Sequence, residues 1–390
     1  MLNTGDTAWM LVSTALVLLM MPGLALFYGG LVRSKNVLST FMHSFVVLGL
    51  ITVQWVAFGY SLAFGPDQGG IIGGLSFAFM RGVDLAPRSG ESVPHMLFFV
   101  YQMMFAIITP ALISGAYAER LKFSAYALFT LLWATLIYDP LAHWVWGSGG
   151  WLGRMGVLDF AGGIVVHISS GVSALVVALV VGKRLGYPRE RSRPHNLTMV
   201  LLGAGLLWFG WFGFNGGSAL SASGTAVLAL VNSQLAAAAG GMAWLLVDVV
   251  RYGKASALGF ASGLVAGLAT VTPASGFVGP MGALAIGLLA GLACYGAVAL
   301  KGRFNYDDTL DAFGVHGVGG ALGTIMLGVF ATKAWNSAGA DGLLAGQAAF
   351  FGKQVLAVLV TVAFSALGTL GILKLVDALV RLRELELPVD

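Results

Sequence analysis

Cysteine is nearly missing from this 390-residue chain. The single copy, Cys294, sits inside the apolar run GLLAGLACYGAVAL, so an intrachain disulfide framework is impossible and a buried, inert thiol is expected. Nothing indicates redox chemistry. Charge is scarce as well: Asp, Glu, Lys and Arg make up 10% of the residues, against roughly 25% in an average soluble domain. Together with 58% hydrophobic residues this argues against an ordinary soluble fold and for a membrane protein. The N-terminus, MLNTGDTAWM, has no Lys or Arg ahead of its first apolar run. It therefore lacks the basic flank of a signal peptide, and the first apolar segment is expected to be retained as a span.

A soluble chain of this length would divide into two or three domains, but here spans of about 20 residues consume the length. Apolar runs bounded by charge or turn clusters predict an all-α polytopic protein of eleven helices, near residues 8–29, 38–64, 95–118, 123–139, 161–182, 197–214, 225–250, 256–271, 280–300, 313–331 and 353–378. One membrane domain over 1–378 and a short cytoplasmic tail at 379–390 follow. The formal charge of +4 could indicate nucleic-acid binding, so the positions of the 21 Lys and Arg decide its meaning. With the N-terminus outside, only Arg81, Arg88, Arg154, Lys333 and Lys353 fall on the outer side; the rest crowd the inner side. That is the lopsidedness of the positive-inside rule, and it puts the C-terminus in the cytoplasm. The basic loop GKRLGYPRERSRPHN then reads as a topology determinant, with no role in nucleic-acid binding.

Three short echoes divide the first ten helices into two related halves. FYGG at 27–30 returns as FNGG at 214–217, ITPALISG at 108–115 as VTPASG at 271–276, and the segment DFAGGIVVHISSG at 159–171 as DAFGVHGVGG at 311–320. Each echo is displaced by five helices, and an odd displacement means that helices 1–5 and 6–10 are inverted in the membrane, an architecture that puts a substrate site near the midplane. Helix eleven lies outside the repeat.

The last echo carries the chemistry, because an ionisable group in so apolar a segment must be desolvated or neutralised. Four residues either side of His167 lie Gly163 and Gly171; for His316 the same positions are Ala312 and Gly320. Small residues at that spacing let two membrane helices approach closely, so the two imidazoles are expected to meet. A desolvated imidazole pair is neutral at pH 7 and offers a donor and an acceptor without fixed charge. It suits a small neutral polar solute or a shared proton better than a metal cation, which would want further carboxylate or thiolate ligands. Asp159, at the entry of helix five, is a candidate both for counter-charge and for a helix N-cap. Asp311 is expected to act by capping or by electrostatics at the pore mouth. Phe105 in helix three, Phe214 in helix six, and Trp144 and Trp146 in AHWVWGSGG are the aromatics of interest, weighed against a lipid-facing or interfacial role.

In their order, FYGGLVRSKN, FAIITPALISGAYAER, LDFAGGIVVHISSG, GWFGFNGGSA, TPASG and DAFGVHGVGG resemble the ammonium transporter, methylammonium permease and Rhesus protein family, and above all its bacterial ammonium transporters. The resemblance spans helices one to ten. It implies a homotrimer in the plasma membrane with one pore per subunit, no cofactor and no enzymatic activity. It also implies an outer recruitment site at Trp146, Phe105 and Ser218, a stacked gate of Phe105 and Phe214, a buried Asp159, and twin pore histidines at His167 and His316. The physics agrees. An ammonium ion can be held by cation-π attraction, whereas carrying its charge through a dry pore costs several to tens of kcal/mol. Removing its proton at pH 7 costs only about 4 kcal/mol if its pKa is near that of a Lys amine, roughly 10.

Two features depart from the family pattern. Asp139 in YDPLAHWVW stands where a small residue is more common and is expected to add outer charge. The ending VDALVRLRELELPVD lacks the longer acidic, His-containing tail with which many bacterial members meet a PII-type regulator, so such a partner is possible but its motif is absent. An ammonium sensor on the same scaffold is the alternative function. A channel for water or small neutral alcohols would want paired Asn-Pro-Ala half-helices, which the chain does not have.

Overall fold

A computed structural model describes residues 1–188 and 194–383. Eleven apolar helical segments follow one another, labelled here α1 (Thr4–Leu31), α2 (Ser34–Phe64), α3 (His95–Tyr117), α4 (Phe123–Arg154), α5 (Gly163–Val181), α6 (Leu197–Ala219), α7 (Gly224–Tyr252), α8 (Ala257–Val271), α9 (Pro280–Phe304), α10 (Phe313–Phe330) and α11 (Ala348–Val380). Among the described residues, ten of these are long and apolar enough to cross a membrane; α8, at 15 residues, is shorter. All eleven fall where apolar runs predicted helices. The ends shift by a few residues because composition marks the apolar stretch and the caps mark the helix: Asn3 and Asn196 accept from the backbone N–H of Asp6 and Met199 at 3.0 and 2.9 Å. Of the predicted tail, 384–390 lies outside the described residues, as do Arg189, Arg191 and Arg193 of the basic loop.

Between apolar lipid and apolar helix there is no hydrophobic gain, so close backbone approach and interhelical hydrogen bonds must hold the bundle. α1 and α6 meet where a Cβ on Gly203 would lie 2.3 Å from the Phe27 backbone nitrogen. Polar stitches reinforce α4, α5 and α11: the Trp133 indole donates to Ser173 Oγ at 2.9 Å and to Thr369 Oγ1 at 3.2 Å, and those hydroxyls pair at 2.7 Å. α3, lined with buried side chains along almost its whole length, occupies the centre.

Asp139 corrects the sequence expectation of an added outer charge. It is fully buried in α4, where one carboxylate oxygen accepts from the Gln54 amide of α2 at 2.7 Å. It lies directly after a π-helical turn at Ala134–Tyr138, and Gln54 directly precedes another at Trp55–Gly59, so two widened turns converge on one buried polar contact.

At one end of the bundle the connecting loops are knitted by ions. Arg184 reaches Asp307 at 2.9 Å and Glu119 at 3.4 Å, and Glu119 also takes Arg33 at 3.2 Å and the Asn36 amide at 2.6 Å. Burial pushes the Asp307 carboxyl up, but hydrogen bonds from the Arg184 side chain and backbone outweigh it and hold the group below the usual carboxylate range. At the other end the short ribbon Asp67–Gln68 with Ile72–Gly73 docks on α4: His143 places Nδ1 2.9 Å from the Ala63 carbonyl and Nε2 2.9 Å from Asp67.

Candidate functional site

α5 and α10 both begin with a π-helical turn, Gly163–Ile168 and Phe313–Gly317, and each turn carries one of the two histidines. Such turns concentrate at functional sites and cannot be read from apolar periodicity. Each is entered in the same way. Gly162 (φ +119°) and Asp311 (φ +62°) take the left-handed conformation that a short polar residue or glycine tolerates. Three residues earlier sits a buried carboxylate. Asp159 accepts four backbone N–H groups, Gly162 and Gly163 on one oxygen and Ile164 and Val165 on the other, at 2.7–3.1 Å. Asp308 does the same for Ala312 at 3.1 Å and Phe313 at 2.8 Å.

The capping expectation for Asp311 is therefore corrected. The cap is Asp308, because the chain needs the left-handed turn between the cap and the first helical residues, and Asp311 provides that turn. The carboxylate of Asp311 goes to Lys301. Spacing could have exposed this, since Asp159 precedes His167 by eight residues and Asp308 precedes His316 by eight.

The flanking small residues do what their size permits. A Cβ on Gly171 would lie 2.0 Å from the Gly317 nitrogen, and one on Gly320 would lie 2.8 Å from both the Gly163 carbonyl oxygen and His167 Cβ. With the segments this close, His167 and His316 stack at 5.2 Å between centroids, 16° from parallel, and their Nδ1 atoms are 3.1 Å apart. One proton can serve that contact, so the two neutral rings must hold opposite tautomers: the ring that donates through Nδ1 has Nε2 free to accept, and its partner carries its proton on Nε2. His167 Nε2 is buried without a hydrogen-bond partner among the described residues.

Aromatic rings continue the stack. From His167 it passes to Phe214 (6.1 Å, 30°) and from Phe214 to Phe105 (4.3 Å, 31°), both fully buried, and Trp146 meets Phe105 edge-on at 6.0 Å. The Trp146 indole donates to the Asp159 carbonyl at 2.8 Å, so the residue that caps α5 also sets this ring. Ser218 Oγ donates to the Phe214 carbonyl at 2.8 Å and lies 3.2 Å from the Tyr101 hydroxyl, whose ring packs on Phe105. Trp144 stands apart; its indole holds the Ile71 carbonyl at 2.7 Å and its ring packs on Phe364.

Behind Phe214 opens a cavity lined by His167, His316, Trp211, Tyr28 and aliphatic side chains, in which the centre of a water-sized molecule has about 20 Å³. That is room for about one such molecule, whose centre needs some 10–15 Å³. His316, Phe27, Tyr28 and Val265 also line a second, far larger space of about 890 Å³, walled by Arg184, Lys301, Asp311 and Tyr295. Stacked phenyls, an apolar constriction with two imidazoles, and a wide charged vestibule thus form one line.

The ammonium transporter family model matches residues 8–386. The chain belongs to this family. It is 52% identical over 387 residues to an ammonium transporter of Bacillus subtilis, which covers 99% of this chain and 95% of that one. Among solved structures, Saccharomyces cerevisiae Mep2 superposes with a TM-score of 0.93 at 38% identity over 99% of this chain and 88% of that one. A sensor Amt protein follows at TM-score 0.90 and 32% identity, over 97% of this chain and 95% of that chain. Membership makes this a multi-pass membrane protein of a transporter family. Sequence reasoning missed Asp308, Tyr101 and Trp211. Trp211 stacks on His167 at 5.6 Å and is fixed by a 3.0 Å hydrogen bond to Thr272 of the VTPASG echo, a signal that the repeat comparison could have carried further.

Proposed function

We propose that the chain passes ammonia across the plasma membrane after taking up ammonium at the Trp146 mouth. Trp146 and Phe105 offer ring faces to the cation and Ser218 a hydroxyl oxygen. Below them the lining turns apolar, and the charge must be left behind. Ammonium gives up its proton to water at the outer mouth, in front of the Phe105–Phe214 pair, and ammonia moves on along His167 and His316, taking a hydrogen bond from one Nε2–H and giving one to the other ring's bare nitrogen. Both oxygens of Asp159 are occupied by backbone N–H groups, so its role is to cap α5 and hold the Trp146 indole through its own carbonyl, with a favourable charge near the mouth as a secondary effect.

The scaffold in this reading has eleven spans, with α1–α5 and α6–α10 as inverted halves, the N-terminus outside and the C-terminus in the cytoplasm. The matched spacing of Asp159, Gly162, His167 and Gly171 with Asp308, Asp311, His316 and Gly320 supports the repeat. Three copies assemble, each with its own pore, and the residues after α11 lie on the cytoplasmic side.

The observation that carries the proposal is the His167–His316 contact at 3.1 Å inside a constriction with no charged side chain in its lining among the described residues. A sensor requires only the mouth; the imidazole pair and the vestibule behind it favour transport. The decisive experiment is uptake of labelled methylammonium, with ammonium-over-potassium discrimination, by His167→Ala and His316→Ala proteins that retain the wild-type oligomer. Depressed uptake or relaxed selectivity is expected in each. If both variants matched wild type in both measurements, the pore reading would fail.

A further inference from the structure

The charged vestibule holds a group that the transport reading leaves without a task. Lys301, near the end of α9, turns its amine back over the α9–α10 loop, donating to the Asp308 carbonyl oxygen at 2.8 Å and to the Asp311 carboxylate. The side chain is 17% exposed, so the amine is set into the wall of the vestibule. Among the described residues, Asp311 is one of two carboxylates that line this space; the other, Asp248, is engaged by the Ser256 hydroxyl at 2.6 Å. Of the other described cations in the wall, Arg184 pairs with Asp307 and Glu119, Arg251 donates to the Tyr295 hydroxyl, and Arg303 is exposed. The carbonyl of Asp308 and the carboxylate of Asp311 lie five to eight residues before His316, which opens on the same space. They form an acceptor pair of the kind that holds an ammonium ion, one neutral oxygen and one anionic.

We propose that Lys301 is a tethered ammonium group that fills the inner acceptor pair and so keeps free ammonium from binding at the charged mouth. Its –NH3⁺ has the donors and the charge of the transported cation, at a concentration no solute can match because it is covalently attached. The aromatic mouth, built from Trp146, Phe105, Ser218 and Tyr101, has no such occupant among these residues. The two faces then differ in how readily ammonium saturates them. A passive pore cannot acquire a preferred direction this way: without gradients of voltage or pH, the ratio of maximal rate to half-saturation must be equal from both faces.

This inference rests on the ammonium-transport reading, and the experiment separates the two. Initial uptake of labelled methylammonium is measured in right-side-out and inside-out membrane vesicles carrying wild-type, Lys301→Gln or Lys301→Arg protein, less the rate in vesicles without it. For Lys301→Gln, half-saturation from the cytoplasmic face is expected to fall roughly fivefold, the factor that one partly exposed charge pair supplies. The maximal rate from that face falls by the same factor, while the curve from the outer face is unchanged. Lys301→Arg, which keeps a cation in place, follows wild type. A merely structural role would lower rates from both faces without moving the inner half-saturation, and that result overturns the proposal, as does an inner-face curve in Lys301→Gln equal to wild type. No carrier-dependent uptake by wild type from either face would overturn the transport reading itself.

Discussion

Asp159 and Asp308 each sit eight residues before a histidine and three before a left-handed residue, and each caps a helix that opens with a π-helical turn. From there the two approaches diverge. The Asp159 side leads to Trp146, Phe105 and Phe214, closed by stacked rings; the Asp308 side leads to a vestibule of about 890 Å³ walled by Lys301, Asp311 and Arg184. The same backbone device therefore serves one end closed by stacked rings and one end that stands open. The caps themselves are unequal. Asp159 satisfies four N–H groups deep among apolar side chains, whereas Asp308 satisfies two beside a lysine.

The contact between the two devices is the point at which both break together. Gly171→Val would drive a side chain into the Gly317 backbone at 2.0 Å, where no flexible side chain can yield. Overpacking of this kind costs about 1–3 kcal/mol or more, so the largest loss of thermal stability in detergent is expected here, together with loss of uptake. A Gly171→Val protein as stable and active as wild type would show that the segments can separate freely.

Next in size is the difference between the caps. Hydrogen bonds to a charged group contribute about 1.5–3 kcal/mol each, and Asp159→Ala removes twice as many as Asp308→Ala. Melting temperatures should fall for both, and further for Asp159→Ala. Equal shifts would mean that solvent or neighbouring groups make good the lost bonds at Asp159.

A smaller effect belongs to the aromatic mouth alone. Trp146→Leu should raise the half-saturation for methylammonium by about fivefold or less, since one partly exposed cation-π contact contributes about 0.5–1 kcal/mol. Unaltered concentration dependence would return Trp146 to the role of an interface anchor.

The smallest belongs to the charged mouth. Burial pushes the Asp308 carboxyl up to about 6, from about 3.9 in an unfolded chain. A raised folded value means that the folded state binds the proton more tightly, so this group favours folding at low pH, and its contribution is lost as pH rises from about 4 to about 6. The melting temperature of wild type relative to Asp308→Asn should decline across that window and level off above it. A flat difference would remove Asp308 from the pH response.

Spans and their approximate ends were legible because lipid demands long apolar runs and because Lys and Arg gather between them. Close approach at the histidines was legible from Gly171 and Gly320, since residue size survives any detail of backbone geometry. The turns were not. Whether a helix takes an α or a π turn at Gly163 or Phe313 depends on packing and on which carboxylate reaches its N–H groups, and apolar periodicity is blind to both. The same blindness assigned Asp311 in place of Asp308, and placed Asp139 at the surface when the Gln54 amide keeps it inside. Tyr101 and Trp211 escaped because an aromatic residue in an apolar run has no sequence mark to separate lumen from lipid.

The π-helical turns have a consequence for angular phase. An i→i+5 turn takes in one residue more than an α turn, and one residue is about 100° of rotation about the helix axis. Removing one residue between Gly163 and Ile168 would restore regular winding, and either the cap at Asp159 or the ring of His167 would then swing away by that angle. A single-codon deletion of Ile164 or Gly314, neither of which lines the constriction, is thus a dial on the direction in which an imidazole points, while every side chain that lines the constriction keeps its chemical identity.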